Sequence, residues 1–384
     1  MLSLGTRQSF GLFLQPMSSD LGWGRETFAF ALALQNLVWG VAQPFAGMIA
    51  DKFGAARVIV TAGLFYTLGL TLMAHPESGL VFNISAGLLV GLGLSGSAFG
   101  VVMGVVGRAF PPEKRSMALG VVGAGGSFGQ FIMLPYGQLL ISQFGWVSAL
   151  LMLALSSFLM VPLASALSGT SAAAPSRNLS LIGALHEAAT HRGFWYLTFS
   201  FLVCGFQTLF IMVHLPAYLV DHGLTPTQGM TALALVGFCN IIGSYLCGFL
   251  GGHFSKKYLL SSIYGVRAIA ILAYITLPLT PWSTWIFAAV MGLTWLGTVP
   301  LTNGLVAQIF GVKYLSTLFS IAFLGHQIGS FFGGWYGGYM FDQTGSYLTV
   351  WVAAIMLSVL AAILCLPIDE RELGALPVKK PAVS

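Results

Sequence analysis

Two arginines lie inside long apolar stretches of the sequence, Arg7 in residues 1–17 and Arg267 in residues 258–279. A guanidinium in such a stretch needs water, a hydrogen-bonding partner or a bound anion, because burying arginine in hydrocarbon costs at least about 2.5–3.5 kcal/mol. None of the 11 Asp and Glu residues falls inside an apolar stretch, so no carboxylate is placed there as a partner. The pattern predicts anion binding by Arg7 with the adjacent Gln8. The alternative is that Arg7 reaches the membrane surface, since its stretch begins at residue 1.

Two histidines are the side chains in the apolar stretches that titrate closest to neutral pH. His326 is followed directly by Gln327, and His214 lies seven residues after Gln207, which places these two on one face of a helix. With no carboxylate in these stretches, His326, and secondly His214, are candidates for proton coupling. The alternative for each is a neutral histidine that bonds to a neighbouring helix.

Further polar residues in the apolar stretches are candidates for lining a cavity. Asn240, Asn303, Gln207 and Gln327 are predicted to contact a ligand together with Arg7 and Gln8, and Gln35, Asn36, Gln130 and Gln138 are weaker candidates. Pro300 lies within an apolar stretch, where proline interrupts the helical hydrogen bonds, and is predicted to act as a hinge.

The composition is that of a membrane protein. Charged residues make up 7% of the 384 residues, against about a quarter in soluble domains, and the mean hydropathy is +0.86. The 16 Lys and Arg are spread over several loops, which argues against nucleic acid as a partner. The four cysteines lack metal-ligand spacing, and the chain has no phosphate-binding loop, nucleophile elbow or paired carboxylates. We therefore expect neither an enzyme nor a cofactor or metal site.

The apolar pattern predicts an all-α membrane protein with twelve transmembrane helices. The predicted spans are 1–17, 27–50, 58–75, 80–107, 116–139, 146–168, 193–219, 229–252, 258–279, 282–308, 314–340 and 346–367. Seventeen residues of helix cover only about 25 Å of a hydrocarbon core about 30 Å thick. For this reason we expect the native first helix to begin upstream of Met1.

The chain repeats itself. Gly47 matches Gly251 at an offset of 204 residues, and Gly126-Ser127-Phe128 matches Gly329-Ser330-Phe331 at an offset of 203. Such agreement indicates two six-helix pseudo-repeats around a central cavity. The predicted domains are an N-terminal half (1–168), a linker (169–192), a C-terminal half (193–367) and a tail (368–384).

The charges between the spans predict the orientation. Alternate assignment of the loops puts thirteen basic residues on one side of the membrane and Arg25 alone on the other, with Asp20, Glu26, Glu77, Asp221 and Asp342. By the positive-inside rule the basic side, with both termini, the linker and the tail, faces the cytoplasm.

The loop after the second span carries a recognisable motif. Residues 47–57 read GMIADKFGAAR, which resembles the GxxxD(R/K)xGxx(R/K) signature of the major facilitator superfamily in its usual place. The resemblance covers essentially the whole chain and implies alternating access, with this loop latching the two halves. The residues implied in gating are Gly47, Asp51, Lys52, Gly54, Arg57 and Arg108, beside Pro300. The alternative is that the loop is a topological anchor. Ser255 stands where the second-half copy would carry its acid, so that copy is expected to latch less firmly.

Within the superfamily the chain is similar to the monocarboxylate-porter branch and its bacterial relatives. The similar features are residues 18–35 (SSDLGWGRETFAFALALQ), the glycine-rich fifth span with Pro135, and Phe144-Gly145-Trp146. In that branch the eighth span carries an Asp–Arg pair, whereas this chain has Asn240 and Ser244. The resemblance also implies a peripheral ninth span, so a tie from Arg267 to backbone carbonyls is favoured over anion binding.

These observations predict a secondary-active transporter, monomeric, in a bacterial inner membrane. The expected substrate is a small organic monocarboxylate anion, with proton symport left open. The alternative is efflux of amphipathic drug-like compounds, which the 29 Phe and 9 Trp favour.

Overall fold

A computed structural model describes residues 1–98, 101–102, 112–167, 181–311 and 315–373. The regular structure of these residues is entirely helical. In the N-terminal half the helices are α1 (Leu2–Gln8), a 3₁₀ turn (Phe10–Phe13), α2 (Leu14–Leu21), α3 (Arg25–Phe53), α4 (Ala55–Met73), α5 (Gly79–Phe82), a π-helical segment (Asn83–Leu89), α6 (Val90–Ser97), α7 (Pro112–Phe158), α8 (Met160–Leu163) and a second 3₁₀ turn (Ala164–Leu167).

The C-terminal half continues in the same way. It is preceded by α9 (Leu181–Thr190), which lies in the predicted linker, and its helices are α10 (Arg192–Asp221), α11 (Pro226–His253), α12 (Lys256–Thr276), α13 (Pro281–Thr294), α14 (Thr298–Phe310), α15 (Leu315–Thr344) and α16 (Leu348–Cys365). Helix lies in each of the twelve predicted stretches, and nine helical runs of the described chain are long and apolar enough to cross a membrane.

Several predicted spans differ from their expected form, and three of them concern the N-terminal half. The first is not one helix, because the chain passes through a 3₁₀ turn after Ser9, whose hydroxyl donates to the Thr6 carbonyl at 2.7 Å. The fifth and sixth follow each other with only a kink at Gly145, whose φ of 76° is one that L side chains rarely adopt.

One helix forms the centre of the bundle. α10 is the most buried of the nine candidate spans and packs along α15, which in turn packs along α3 of the N-terminal half. The approach is close at Gly205, where an added Cβ would lie 1.8 Å from the His326 carbonyl oxygen. A second contact between the halves joins α7 to α11, where Gln130 Nε2 donates to the Leu233 carbonyl at 3.1 Å. The close packing therefore fixes the positions of residues on α3, α10 and α15 relative to one another.

The two halves are bonded together at the end of the bundle that carries the predicted acidic loops, which we call the acidic face. Arg25 at the start of α3 forms a two-pronged ion pair with Asp221 at the end of α10, with distances of 2.6 and 2.7 Å. The Asp342 carboxylate accepts from the backbone N–H groups of Arg25 at 3.0 Å and Glu26 at 2.8 Å. We call these contacts the acidic-face latch, and they close this end between the halves.

At the opposite end, the basic face, residues 368–373 form a strap over α12 and α14. Glu370 Oε1 accepts from the Lys257 backbone N–H at 2.6 Å and from the Ser255 hydroxyl at 3.1 Å. Gln308 Nε2 donates to the Glu370 carbonyl at 2.9 Å. A carboxylate at a helix N-terminus is stabilised by the unpaired N–H groups and the helix dipole. Glu370 thus brings to the start of α12 the charge that Ser255 lacks.

We expect Glu370→Gln to lower the free energy of unfolding by about 0.5–2 kcal/mol, because the helix start loses its charged cap. Addition of Ser255→Asp should restore most of the loss by placing a carboxylate at the N-cap itself. Asp369→Asn is the matched control, since the exposed Asp369 carboxylate bonds to Arg371, which lowers its pKa to about 2. Thermal unfolding in detergent measures the stability of all three variants. Equal unfolding midpoints for Glu370→Gln and Asp369→Asn would show that the Glu370 cap does not stabilise the protein.

Candidate functional site

Arg7 is buried between the two halves of the chain. Its side chain, on α1, is 8% exposed, and its Nη2 donates to Asn36 Oδ1 at 2.5 Å. Its Nη1 lies 3.8 Å from the sulfur of Met212 on α10, and the guanidinium stands 5.2 Å from the centre of the Trp39 ring. No residue in the described part of the chain accepts from its Nε. Among the described residues, every acceptor of Arg7 is neutral, so its positive charge is not compensated by an ion pair.

Asn36 connects Arg7 to the C-terminal half. The side chain is fully buried on α3, and its Nδ2 donates to the Leu32 carbonyl at 2.6 Å. The Asn36 backbone carbonyl accepts from Gln327 Nε2 on α15 at 3.2 Å. One residue therefore presents its side-chain oxygen to Arg7 and its main-chain oxygen to the opposite half.

His326 continues this set of polar contacts. Its Nδ1 lies 3.0 Å from Gln327 Oε1, while its buried Nε2 meets no hydrogen-bonding geometry among the described residues, and the buried Cys204 thiol interacts with the ring. The imidazole contacts two phenylalanine rings, with centroids 4.7 Å from Phe201 and 5.6 Å from Phe323, the latter stacked. Phe323 also contacts Trp39 edge-on at 5.3 Å. Rings and hydrogen bonds thus both link Arg7 to His326.

We call these residues the Arg7 cluster. Its members are Arg7, Asn36, Trp39, Met212, Phe323, His326 and Gln327. It contains one positive charge, that of Arg7, and the aromatic rings of Trp39 and Phe323. Two of its buried nitrogens, Arg7 Nε and His326 Nε2, make no hydrogen bond to the described residues. A planar anion could accept two parallel bonds from the guanidinium, and an imidazole could take up a proton beside it.

Several predicted ligands lie apart from this cluster. Gln207 faces the other side of α10, where it donates to the Ala354 carbonyl and the Ser358 hydroxyl. Asn240 donates to Ser127 Oγ of the N-terminal half at 2.9 Å and accepts from the Leu296 backbone N–H at 3.0 Å. Gln8 is half-buried with its Oε1 unpartnered, and Asn303 is half-buried on α14.

His214 lies below the acidic-face latch. Its Nδ1 is 3.2 Å from Tyr347 Oη, and its Nε2 is 2.8 Å from the Gly334 carbonyl oxygen. The side chain is 1% exposed. His214 is therefore joined to the latch and not to the Arg7 cluster.

Arg267 stands at a break in the tenth predicted span. α13 ends at Thr294 and α14 begins at Thr298, which leaves carbonyls without intrahelical donors. Arg267 Nη2 donates to the carbonyls of Thr294 at 2.5 Å and Trp295 at 2.6 Å, and Nη1 donates to Gln207 Oε1 at 3.2 Å. The fully buried guanidinium supplies the donors that the broken helix lacks.

Pro300 lies in the first turn of α14, just after this break. A proline ring clashes with the carbonyl four residues earlier, here that of Leu296, which disfavours continuous helix at that point. In the first turn its missing N–H leaves no bond unmade. The interruption therefore precedes the proline by several residues.

The predicted gating residues are described only in part. Gly47 lies in α3, Gly54 joins α3 to α4 with a φ of 95°, and Arg57 is exposed on α4. Arg108 lies outside the described residues, as do the side chains of Asp51 and Lys52.

The residues that sequence reasoning missed are those without charge or unusual spacing. Trp39 and Met212 belong to apolar stretches, and nothing in their types distinguishes them from packing residues. Arg25 was assigned to a loop, but it anchors the latch. Within the described residues, no group of three or more His, Cys, Asp or Glu is arranged to hold a metal.

Comparison with known proteins identifies the same architecture. The sequence profile described as Major Facilitator Superfamily matches residues 1–333. An uncharacterised MFS-type transporter, YcxA of Bacillus subtilis (strain 168), is 24% identical over 383 residues, covering 93% of this chain and 90% of that protein. Monocarboxylate transporter 11 of Homo sapiens is 24% identical over 359 residues, covering 90% and 75%.

Two solved structures have a similar fold. A bacterial homologue of the human lysosomal transporter Spinster, inward-facing and unoccupied, superposes with a TM-score of 0.77 at 15% identity, covering 95% of this chain and 93% of that chain. The fucose:proton symporter FucP of E. coli gives a TM-score of 0.62 at 17% identity, covering 95% of each chain.

Proposed function

This chain belongs to the Major Facilitator Superfamily and is a multi-pass membrane transporter, and from this premise we propose that it carries a small organic monocarboxylate anion by alternating access. The observation that carries the proposal is Arg7, a buried guanidinium between the halves whose acceptors in the described chain are all neutral. A buried charge without a counter-charge is unfavourable, and a carboxylate from the substrate would supply it.

The position of Arg7 also suggests how binding drives the conformational cycle. Arg7 and Asn36 belong to the N-terminal half, whereas Gln327 and His326 belong to α15 of the C-terminal half. An anion that contacts both sets of donors would favour the state in which the halves are together around it. Such a ligand would replace Asn36 Oδ1 as the acceptor of Nη2 and would also engage the free Nε.

We further propose that His326 carries a coupled proton. Its buried Nε2 makes no hydrogen bond to the described residues, and a proton there would add a second positive charge near the carboxylate. The monocarboxylate transporters among the relatives are consistent with this substrate class.

The same proposal includes twelve helices in two six-helix repeats, joined by the linker 169–192, in a monomer. The basic face and both termini lie in the cytoplasm of a bacterial cell.

A thermal-shift screen of the purified protein tests the substrate class. Short monocarboxylates should raise the unfolding temperature, because a ligand at 100 times its Kd stabilises by about 2.7 kcal/mol. Neutral amides of the same carbon skeletons are the matched controls and should have no effect. We expect larger shifts at about pH 5.5 than at about pH 7.5 if His326 is protonated with binding. Stabilisation by amphipathic cations but not by carboxylates would favour the drug-efflux alternative and contradict the proposal.

A further inference from the structure

The acidic-face latch is connected to His214 by a chain of hydrogen bonds. Arg25 Nη1, which belongs to the ion pair with Asp221, donates to Tyr347 Oη at 3.0 Å. Tyr347 Oη lies 3.2 Å from His214 Nδ1, and His214 Nε2 lies 2.8 Å from the Gly334 carbonyl oxygen. Two hydrogen bonds therefore separate a buried imidazole from the ion pair that closes this end of the protein.

The partners of His214 are all satisfied by a neutral ring with its hydrogen on Nε2. A carbonyl oxygen only accepts, so Nε2 facing Gly334 must be the donor. Nδ1 is then an acceptor, and the Tyr347 hydroxyl donates its hydrogen to it. The phenol oxygen in turn accepts from Arg25. In this arrangement each donor in the series of hydrogen bonds from Arg25 to Gly334 has an acceptor.

A protonated His214 would disrupt this arrangement. Its Nδ1–H would point at the Tyr347 oxygen, which already accepts from Arg25, and the phenol hydrogen would lose its acceptor. His214 Nδ1 also lies at most about 6 Å from Arg25 Nη1, since the two bonds through Tyr347 Oη measure 3.2 and 3.0 Å. Two isolated unit charges at that distance, at an effective dielectric constant of about 20, would shift an equilibrium on the order of a hundredfold, and the Asp221 carboxylate paired with Arg25 offsets part of this repulsion.

We propose that Tyr347 is a positioning residue that transmits protonation of His214 to Arg25, so that acid on this side releases the acidic-face latch and favours the state open to that side. The inference rests on the proposed transport function, and it assigns to the cycle a proton-sensitive group separate from His326.

Other ionisable groups face the same region from the neighbouring elements. They are Glu26 on α3, Tyr218, Asp221 and His222 on α10, and Asp342 on α15. His222 is the informative comparison because its Nδ1 bonds to the carbonyl of Tyr218 in its own helix at 2.8 Å and its side chain is exposed. The carboxylates of Asp221 and Asp342 belong to the latch itself, so a variant that removes only the ability of His214 to take up a proton separates their effect from that of the histidine.

Cysteine accessibility in intact cells tests the proposal without any substrate. Met212→Cys reports on opening, because Met212 is 2% exposed and lies nine residues before Asp221, about 13 Å deeper along α10. A membrane-impermeant thiol reagent is added, and peptide mass spectrometry reads position 212 apart from the four native cysteines. Each rate is divided by that of Glu77→Cys on the same face, which corrects for the pH dependence of the reagent and of an exposed thiol. The His214→Gln background carries the same buried thiol beside Arg7 and shows what pH dependence that thiol contributes by itself.

We expect the normalised rate to rise at least fivefold between about pH 8 and about pH 5.5. His214→Gln should abolish the rise, since the glutamine amide both donates and accepts but cannot be protonated at these pH values. His222→Gln, the matched control, should keep it. Tyr347→Phe should reduce the rise strongly, because the hydrogen-bonded bridge to Arg25 is gone and only repulsion through space remains, and it decides the question alone if His214→Gln does not reach the membrane.

A full pH response in His214→Gln or in Tyr347→Phe would overturn the proposal, as would a rate in the reporter background that does not change with pH. Because the assay needs no ligand, a failure of the carboxylate screen leaves it valid. Conversely, carboxylate uptake with pH-independent labelling would reject the switch and retain the proposed function.

Discussion

We expect Arg7→Ala to reduce monocarboxylate uptake at least a hundredfold and to remove the stabilisation that carboxylates give to the purified protein. The reason is that the substrate anion would lose both its counter-charge and a pair of charge-assisted hydrogen bonds, each worth about 1.5–3 kcal/mol. The fold should survive, because Arg7 bonds to only one side-chain oxygen and one thioether. Uptake into proteoliposomes and thermal shift measure the two effects.

Two further variants make the test specific. Arg7→Lys keeps the charge but not the planar fork of donors, so we expect intermediate uptake with weaker affinity. Arg192→Ala is the matched control, an exposed arginine at the start of α10 on the basic face, and its uptake should stay within about twofold of wild type. Uptake by Arg7→Ala within threefold of wild type, at equal protein yield, would place the anion site elsewhere.

Arg267→Ala is expected to have the largest effect on stability. The substitution leaves the carbonyls of Thr294 and Trp295 and the amide oxygen of Gln207 without their donor in a site that excludes water. Loss of a buried charged group from such a network costs about 3–5 kcal/mol. We expect the unfolding midpoint in detergent to fall by roughly 5–10 °C, or the protein to be recovered at low yield.

The neighbouring residue on the same helix provides the control. Val266 is 43% exposed on the lipid side of α12, so Val266→Ala should change the midpoint by less than about 2 °C. Arg267→Lys should recover only part of the loss, since one ammonium cannot span the positions of three acceptors as the guanidinium does. An unchanged midpoint in Arg267→Ala would show that other donors satisfy the break between α13 and α14.

The membrane character and the family were open to prediction from sequence. Charges confined to the ends of apolar stretches have one physical explanation, the cost of burying them in hydrocarbon, and the motif at residues 47–57 lies in the place that the family gives it. Arg7 stood out for the same reason, since a charge inside an apolar stretch is conspicuous whatever its partners are.

The partners of these residues could not be predicted in this way. Gln207 and His214 share a helical face by spacing, yet Gln207 bonds to Arg267 and Ser358, whereas His214 bonds to Tyr347. Likewise, the sequence showed that Ser255 stands where an acid would be expected. Only the structure showed that the carboxylate of Glu370, 115 residues later, lies at the start of α12 beside Ser255. Hydrogen-bond partners in helical bundles come from other helices, and sequence periodicity gives the face of a helix but not its neighbour.

By itself the sequence determined that this is a helical membrane transporter of the Major Facilitator Superfamily with an arginine, Arg7, inside an apolar stretch. It could do so because hydrophobicity and local motif spacing are properties of consecutive residues. Only the tertiary structure showed that Arg7 donates to Asn36 and that Arg267 donates to the carbonyls at the break between α13 and α14. It also showed that Arg25 forms the ion pair that joins the two halves at the acidic face. Those contacts depend on how the helices that carry them pack to within ångströms, because hydrogen bonds are short and directional.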